Sequence, residues 1–224
     1  MSARTRLLPG VLGAIAGSLD VVGLLQLGLF TAHITGNLAL LIAHAVGGGG
    51  ARVGPMLSVP VFIAALALTR VLVDRVPSIG LRWLRPLLVL ELALLAGCFA
   101  VGVGAGSRPD PNAAITILAG MLGVAAMAVQ NALVPLGGGP PTTAVTGNVT
   151  RLTLDVVAIG LGGAVAGGDQ ARARVRQTWP ALAGFAAGCC LGAAGLAAVG
   201  RWSLALPAGL AVLALALASA GRDA

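Results

Sequence analysis

Lysine and tyrosine are absent from this chain, and aromatic residues of all kinds fill only 3% of its 224 positions. Charged residues are scarce too, at 9% against roughly 25% in soluble domains. Together with the apolar excess described below, that scarcity excludes a disordered chain and an ordinary cytosolic enzyme. The formal net charge is +7 and all 14 cations are arginine. Most stand at the ends of apolar runs, with no basic face interleaved with aromatics, so nucleic acid is not an expected partner. Cysteine is limited to Cys98, Cys189 and Cys190, each inside an apolar run. That excludes a disulfide-stapled scaffold and reads as small packing residues. The two histidines, His33 and His44, are eleven residues apart. One helical face does not hold both at metal distance, so neither a metal nor another cofactor is expected.

What fills the chain is apolar: 58% of residues, with a mean hydropathy of +0.98. The runs are continuous rather than alternating, which points to a polytopic α-helical membrane protein and away from a β-barrel. Six runs are long enough to span a bilayer: Pro9–Phe30, Pro55–Val76, Leu84–Ala105, Pro111–Leu133, Trp179–Val199 and Trp202–Ala220. The first follows Arg4 and Arg6 and contains Ala14-Ile15-Ala16, a cleavage-like triplet. It continues well past Ala16, so it is read as a span and not a leader. Asp110 before Pro111, and Ser203, are expected helix caps. Pro60 and Pro207 predict kinks or late helix starts.

Two further segments, Thr31–Val46 and Thr142–Val165, expose an internal repeat. Thr35-Gly36-Asn37 recurs as Thr146-Gly147-Asn148, at an offset of 111 in a chain of 224. The same offset carries Thr31 onto Thr142, Leu41 onto Leu152, and Asp20 onto Asn131. Each half therefore reads as one span, a TGN segment and two more spans, with halves at about 7–110 and 111–220 of a single transmembrane domain. Only nine residues separate Asn37 from the glycines after Val46, half a bilayer of helix. If both TGN segments re-enter, eleven of the 14 arginines fall on the side of the N-terminus and three (Arg52, Arg108, Arg201) opposite. If both span, the split is nine to five. The positive-inside rule favours six spans, both termini cytoplasmic and the halves inverted. Trp83, Trp179 and Trp202 then stand at membrane interfaces as anchors.

A carboxylate within a span costs about 3 kcal/mol, so Asp20 and Glu91 each need a partner or a watery cavity. Asp20 reads as an ion, proton or substrate contact, or as an interhelical hydrogen bond. Glu91 divides in the same way. Gln130 and Asn131 read as interhelical glue or, through their match to Asp20, as part of a pseudo-symmetric site. In the TGN segments, Gly36 and Gly147 allow sharp turns and close approach. Asn37 and Asn148 can cap the helices that follow, with Thr35 and Thr146 beside them. An unpaired helix N-terminus at membrane depth suits an anion, a carboxylate or a dipolar solute. Plain capping at a surface turn, where Gly137-Gly138-Gly139-Pro140-Pro141 also fits, is the alternative. His33 could carry a proton or be structural. Arg151 is expected to pair with Asp155, and Arg70 with Asp74. Arg172, Arg174 and Arg176 read as a topology determinant. Glycines spaced four apart (Gly13/Gly17, Gly184/Gly188/Gly192) read as helix-packing faces, intramolecular first and for homo-oligomers second.

Gly17-Ser18-Leu19-Asp20, His33-Ile34-Thr35-Gly36-Asn37, Gln130-Asn131-Ala132 and Thr142 to Thr150 (TTAVTGNVT) together resemble the YoaK-like family of bacterial integral membrane proteins, a domain of unknown function. The resemblance runs from about Leu7 to Ala218. It implies a bacterial inner-membrane protein of about six spans, with no established substrate, and a small polar residue where His33 stands.

The inverted repeat, the broken segments and the buried carboxylate favour a small-solute transporter of unknown substrate. Its site would lie between the halves, at Asp20, Gln130, Asn131, Thr35, Gly36, Asn37, Thr146, Gly147 and Asn148. Proton coupling would run through Asp20, Glu91 or His33. The alternatives are a passive channel with re-entrant half-helices, and a non-transporting scaffold. No activated nucleophile is visible, so an enzyme is not expected.

Overall fold

A computed structural model describes residues 3–47, 52–75, 83–106, 110–133, 142–160 and 168–219. The glycine-proline run 137–141 and the end of the second TGN segment lie outside these residues. Every regular element described is helical: α1 (Ala3–Val22), α2 (Ile34–Val46), α3 (Val53–Arg75), α4 (Leu84–Gly104), α5 (Ala114–Ala132), α6 (Val145–Gly160), α7 (Gly168–Val199) and α8 (Ala205–Ser219). Among the described residues, five continuous helical stretches are long and apolar enough to cross a membrane, and the last runs from Gly168 to Ser219. That stretch holds two helices. At Gly200 φ is +57° and a 3₁₀ turn (Gly200–Leu204) follows. Gly195 and Ser203 then lie within van der Waals reach, where a straight helix would separate them by about 12 Å. The chain is a multi-pass membrane protein.

Its interior is aliphatic. Ile15, Leu19, Leu87, Leu88, Leu95 and Met127 are fully buried, while Ile42, Leu68, Leu118, Leu154 and Leu191 point outward from their helices. A chain apolar both inside and out has lipid, not water, as its natural surround.

The two glycine stripes meet one another. A Cβ on Gly13 or Gly17 of α1 would run into the carbonyls of Ala181 and Phe185, and one on Gly184 or Gly188 of α7 into those of Gly10 and Ala14. The glycines thus bring two backbones into direct contact, the packing that small residues permit in a membrane. The succession Gly10–Gly184, Ala14–Gly188, Ser18–Gly192 makes α1 and α7 parallel. Helix α5 runs the other way along α1: Gln130 meets Leu12 and Gly123 meets Leu19. Helix α4 is antiparallel to α5, through Gly97–Leu122, Gly102–Ala119 and Gly104–Ile115. The remaining seams are α3 on α5, α8 on α1 and α4, α2 on α3, and α6 on α7.

Several local expectations need correction. Asp110 does not cap α5, which starts at Ala114; its carboxylate instead accepts the Asn112 amide in a turn before the helix. Ser203 is buried inside the 3₁₀ turn with no partner for its hydroxyl. Pro60 sits inside α3, while Pro207 falls in the first turn of α8, which starts late in its run as expected and where the missing N–H is not needed. Trp179 and Trp202 are half-exposed, but Trp83 belongs to the core. Arg70 does pair with Asp74, at 2.9 Å. Asp155 pairs with Arg174 of α7, at 2.5 Å, rather than with Arg151, because α6 packs along α7.

Candidate functional site

Helix α1 widens into a π-helical turn at Gly23–Leu27 and stops at Gly28. Gly28 adopts φ +73°, a left-handed conformation that a side chain would strain. Gly28 sits beside Arg52 and Pro111. The chain then turns back along α5: Leu29 fills the space left by Gly54 and Gly120, and Thr31 that left by Gly123. Within three residues it reaches a side chain eight positions earlier in α1.

That side chain is Asp20, buried at 3% exposure. Its Oδ1 accepts the backbone amides of Thr31 (2.9 Å) and Ala32 (2.7 Å) and the Thr31 hydroxyl (3.2 Å). Its Oδ2 bonds Nδ1 of His33. Three donors on one oxygen are what an ionised carboxylate needs when water is excluded. Leu29 still donates its amide to the Gly23 carbonyl at 3.4 Å, but the amides of Thr31 and Ala32 are taken by Asp20, which satisfies backbone that would otherwise be orphaned. The protein's own carboxylate thus occupies the anion position expected just before α2.

Asn37 secures the returning loop from the other side. It lies in the first turn of α2, which begins at Ile34, and therefore does not cap that helix. Its amide reaches back seven residues. Oδ1 accepts the Phe30 N–H at 2.8 Å, and Nδ2 donates to the Phe30 carbonyl at 2.7 Å and to the Ser58 hydroxyl of α3 at 2.8 Å. Gly36 is likewise helical, not a turn; its bare Cα makes room for the Phe30 ring. The turn that the TGN glycines were expected to make falls at Gly28.

Asp20, His33, Thr35, Gly36 and Phe30 line a cavity of about 470 Å³ with Phe185 and Cys189 of α7. His33 lies edge-on to Phe30 and Phe185, with ring centroids 6.2 and 5.4 Å apart. Phe185 and Cys189 escaped the sequence reading. The signal was present in outline, since both lie within the glycine-spaced face Gly184/Gly188/Gly192. Nothing local said that this face meets α1.

The residues equivalent by the 111 offset form a second, different cluster. Gln130 Nε2 donates to the Leu12 carbonyl (3.0 Å) and to the Thr142 hydroxyl (2.6 Å). Asn131 accepts the Thr143 hydroxyl (2.5 Å) and donates to the Met127 carbonyl (2.8 Å). Leu12 and Asp20 are eight residues apart on α1, about 12 Å. Asp20 and Asn131 therefore belong to separate clusters and do not share one cavity. Thr146 and Gly147 are exposed in the first turn of α6, and Asn148 is buried there. Glu91 is fully buried on α4, neither of its oxygens is hydrogen-bonded among the described residues, and it does not line the Asp20 cavity. Among the described residues, no three His, Cys, Asp or Glu side chains are grouped closely enough to hold a metal ion.

Fold and site define a multi-pass α-helical membrane protein whose first span breaks and folds back onto its own buried carboxylate. Residues 8–217 match the family described as "Protein of unknown function (DUF1275)", and the chain belongs to that family. Searches of curated proteins and of solved structures find no match.

Proposed function

We propose that the protein is a small-solute transporter of two inverted three-span halves, with its solute site in the Asp20 cup. One observation carries this reading. A hydrogen-bonded acid–base pair, Asp20 and His33, lines a cavity at a break between helices, where non-helical backbone is held by a buried carboxylate. Intramembrane ionisable groups at broken helices are how transporters build solute and ion sites.

The inverted architecture draws support from the helix directions. Helices α1 and α5 are equivalent by the 111 offset and run antiparallel. Had α2 crossed the membrane, they would run parallel. The seams also come in matched sets when the halves are exchanged: α1 on α7 with α5 on α3, α8 on α1 with α4 on α5, and α2 on α3 with α6 on α7. On this reading α2 and α6 are re-entrant, the protein sits in a bacterial inner membrane, and both termini are cytoplasmic. A passive channel is less well supported, because the glycine seam closes α1 and α7 backbone to backbone. The Cys189 thiol shares the cup with His33 and Asp20, but Nδ1 of His33 is engaged by Asp20, and we assign no enzymatic step to the cup.

The test is reconstitution. Proteoliposomes under an imposed pH gradient are challenged with amino acids, sugars, organic anions and amines while currents and uptake are recorded. A gradient-driven response that disappears in Asp20→Asn supports the reading. A response unchanged in that variant removes Asp20 from the mechanism. Thiol labelling of Arg52→Cys from outside intact cells, in a cysteine-free background, is expected if α2 re-enters; labelling only in inverted vesicles would mean that it spans.

A further inference from the structure

We propose that the Asp20 cavity binds an organic cation with an apolar body, and that the cation's charged group replaces protonated His33 at Asp20 Oδ2. The inference rests on the solute-site reading above and specifies the ligand. The two oxygens of Asp20 are not equivalent. Oδ1 is saturated by Thr31 and Ala32, while Oδ2 has one partner, His33. The rest of the lining is apolar or weakly polar: Val21, Leu24 and Leu25 of α1, the rings of Phe30 and Phe185, and Cys189. Aromatic faces beside a carboxylate suit a cation with hydrocarbon substituents. An anion would meet Asp20, and a sugar would find few hydrogen-bonding groups.

Charge decides how the site works. Asp20 with a protonated His33 is neutral as a pair and offers a second cation little. Asp20 with neutral His33 leaves one negative charge uncompensated in an apolar cup. The site holds one positive charge at a time, a proton on His33 or the ligand's, and a cation that enters releases one proton from His33. The titratable groups around His33 are Asp20 from α1 and Cys189 from α7; among the described residues, α2 and α3 contribute none to the lining. The His33 side chain is 32% exposed, so it is less enclosed than Asp20.

The probe is benzyltrimethylammonium, a quaternary ion that cannot itself titrate, with neopentylbenzene as its uncharged isostere. Equilibrium dialysis against the purified full chain in detergent is expected to give saturable binding of one cation per chain, about tenfold weaker at pH 6 than at pH 8. Asp20→Asn should abolish binding at both values. His33→Asn should remove the pH dependence, whatever its effect on the affinity itself. An independent reading comes from Cys189 in a Cys98→Ala, Cys190→Ala background, where the cation should slow N-ethylmaleimide alkylation at pH 8. The alkylation test uses native Asp20 and holds even if Asp20→Asn fails to fold. No saturable binding, equal affinity for neopentylbenzene, or unprotected Cys189 would each overturn the proposal. Because binding is read at equilibrium, a protein that binds the cation without moving it sinks the transport reading alone; one that moves another solute and ignores the cation sinks this inference alone.

Discussion

The clusters around Asp20 and Asn131 start from equivalent positions and solve the same problem differently. In each, a polar side chain near the end of a long helix holds the chain that returns after it. At Asp20 the holder is charged, and its donors are two backbone amides, a hydroxyl and an imidazole. At Asn131 the holder is neutral. Its oxygen takes the Thr143 hydroxyl, and its nitrogen turns back to the Met127 carbonyl four residues earlier. An amide satisfies itself on its own helix; a carboxylate has no donor and must recruit one. His33 is recruited in the first half, and the position 111 residues later is Ala144. The buried carboxylate therefore belongs to the Asp20 cluster, and the Asn131 cluster holds its returning chain with neutral groups.

The comparison breaks most directly by truncating the two holders. Asp20→Ala leaves the buried amides of Thr31 and Ala32 without an acceptor, and is expected to cost about 3–5 kcal/mol. Asn131→Ala removes neutral hydrogen bonds at a half-buried site, and is expected to cost about 1 kcal/mol. Apparent melting temperatures of the detergent-solubilised protein should fall in that order. Equal losses would mean that Asp20 is merely another interhelical hydrogen bond.

A smaller effect is expected one layer out. Asn37 is fully buried and ties Phe30 of the returning loop to Ser58 of α3. Asn37→Ala should cost about 2–3 kcal/mol, and Ser58→Ala about 1 kcal/mol. The double variant should lose less than their sum, since both remove the same bond. If the two losses simply add, the Asn37–Ser58 contact contributes nothing, and Asn37 holds the loop through Phe30 without a tie to α3.

These residues also mark how far the sequence could be read. The apolar helices were legible, and so was the need of a buried Asp20 for partners, because hydropathy and a carboxylate inside an apolar run are properties of the chain itself. The role of Asn37 was legible only in kind. An asparagine beside glycine suggests a cap, but α2 starts three residues earlier and the amide turns outward to Phe30. The turn glycine was misplaced for a related reason. Gly28 carries the left-handed φ, yet it looks like any other glycine at the end of an apolar run, whereas Gly36 sits in a motif. Phe185 and Cys189 could not be assigned to the cup, because only the meeting of two glycine faces far apart in sequence brings them there. Asp155 shows the same limit: its nearest arginine in sequence is four residues away, and its partner in space is nineteen.

That last pair sets the smallest and most specific expectation. Helix α2 is tied to its neighbour α3 by a neutral bond at its first turn, whereas α6 is tied to α7 by Asp155 and Arg174, about three turns along α6. The Arg174 guanidinium, through its hydrogen bonds and with help from its charge and that of Arg151, holds the Asp155 carboxyl below the usual carboxylate range. A carboxyl lowered on folding stabilises the folded state above its unfolded pKa, near 4, and loses that contribution as pH falls through the lower folded value. Wild-type stability should therefore carry a component that is constant from pH 7 to about 5 and fades below about 4. Arg174→Gln should remove that component and leave stability at lower pH little changed. Arg151→Gln should weaken it only slightly, as befits a charge without a hydrogen bond. Were Arg151→Gln the stronger of the two, the pair would lie within α6 and the tie to α7 would be lost, leaving the two halves unlike in how their short helices are fastened.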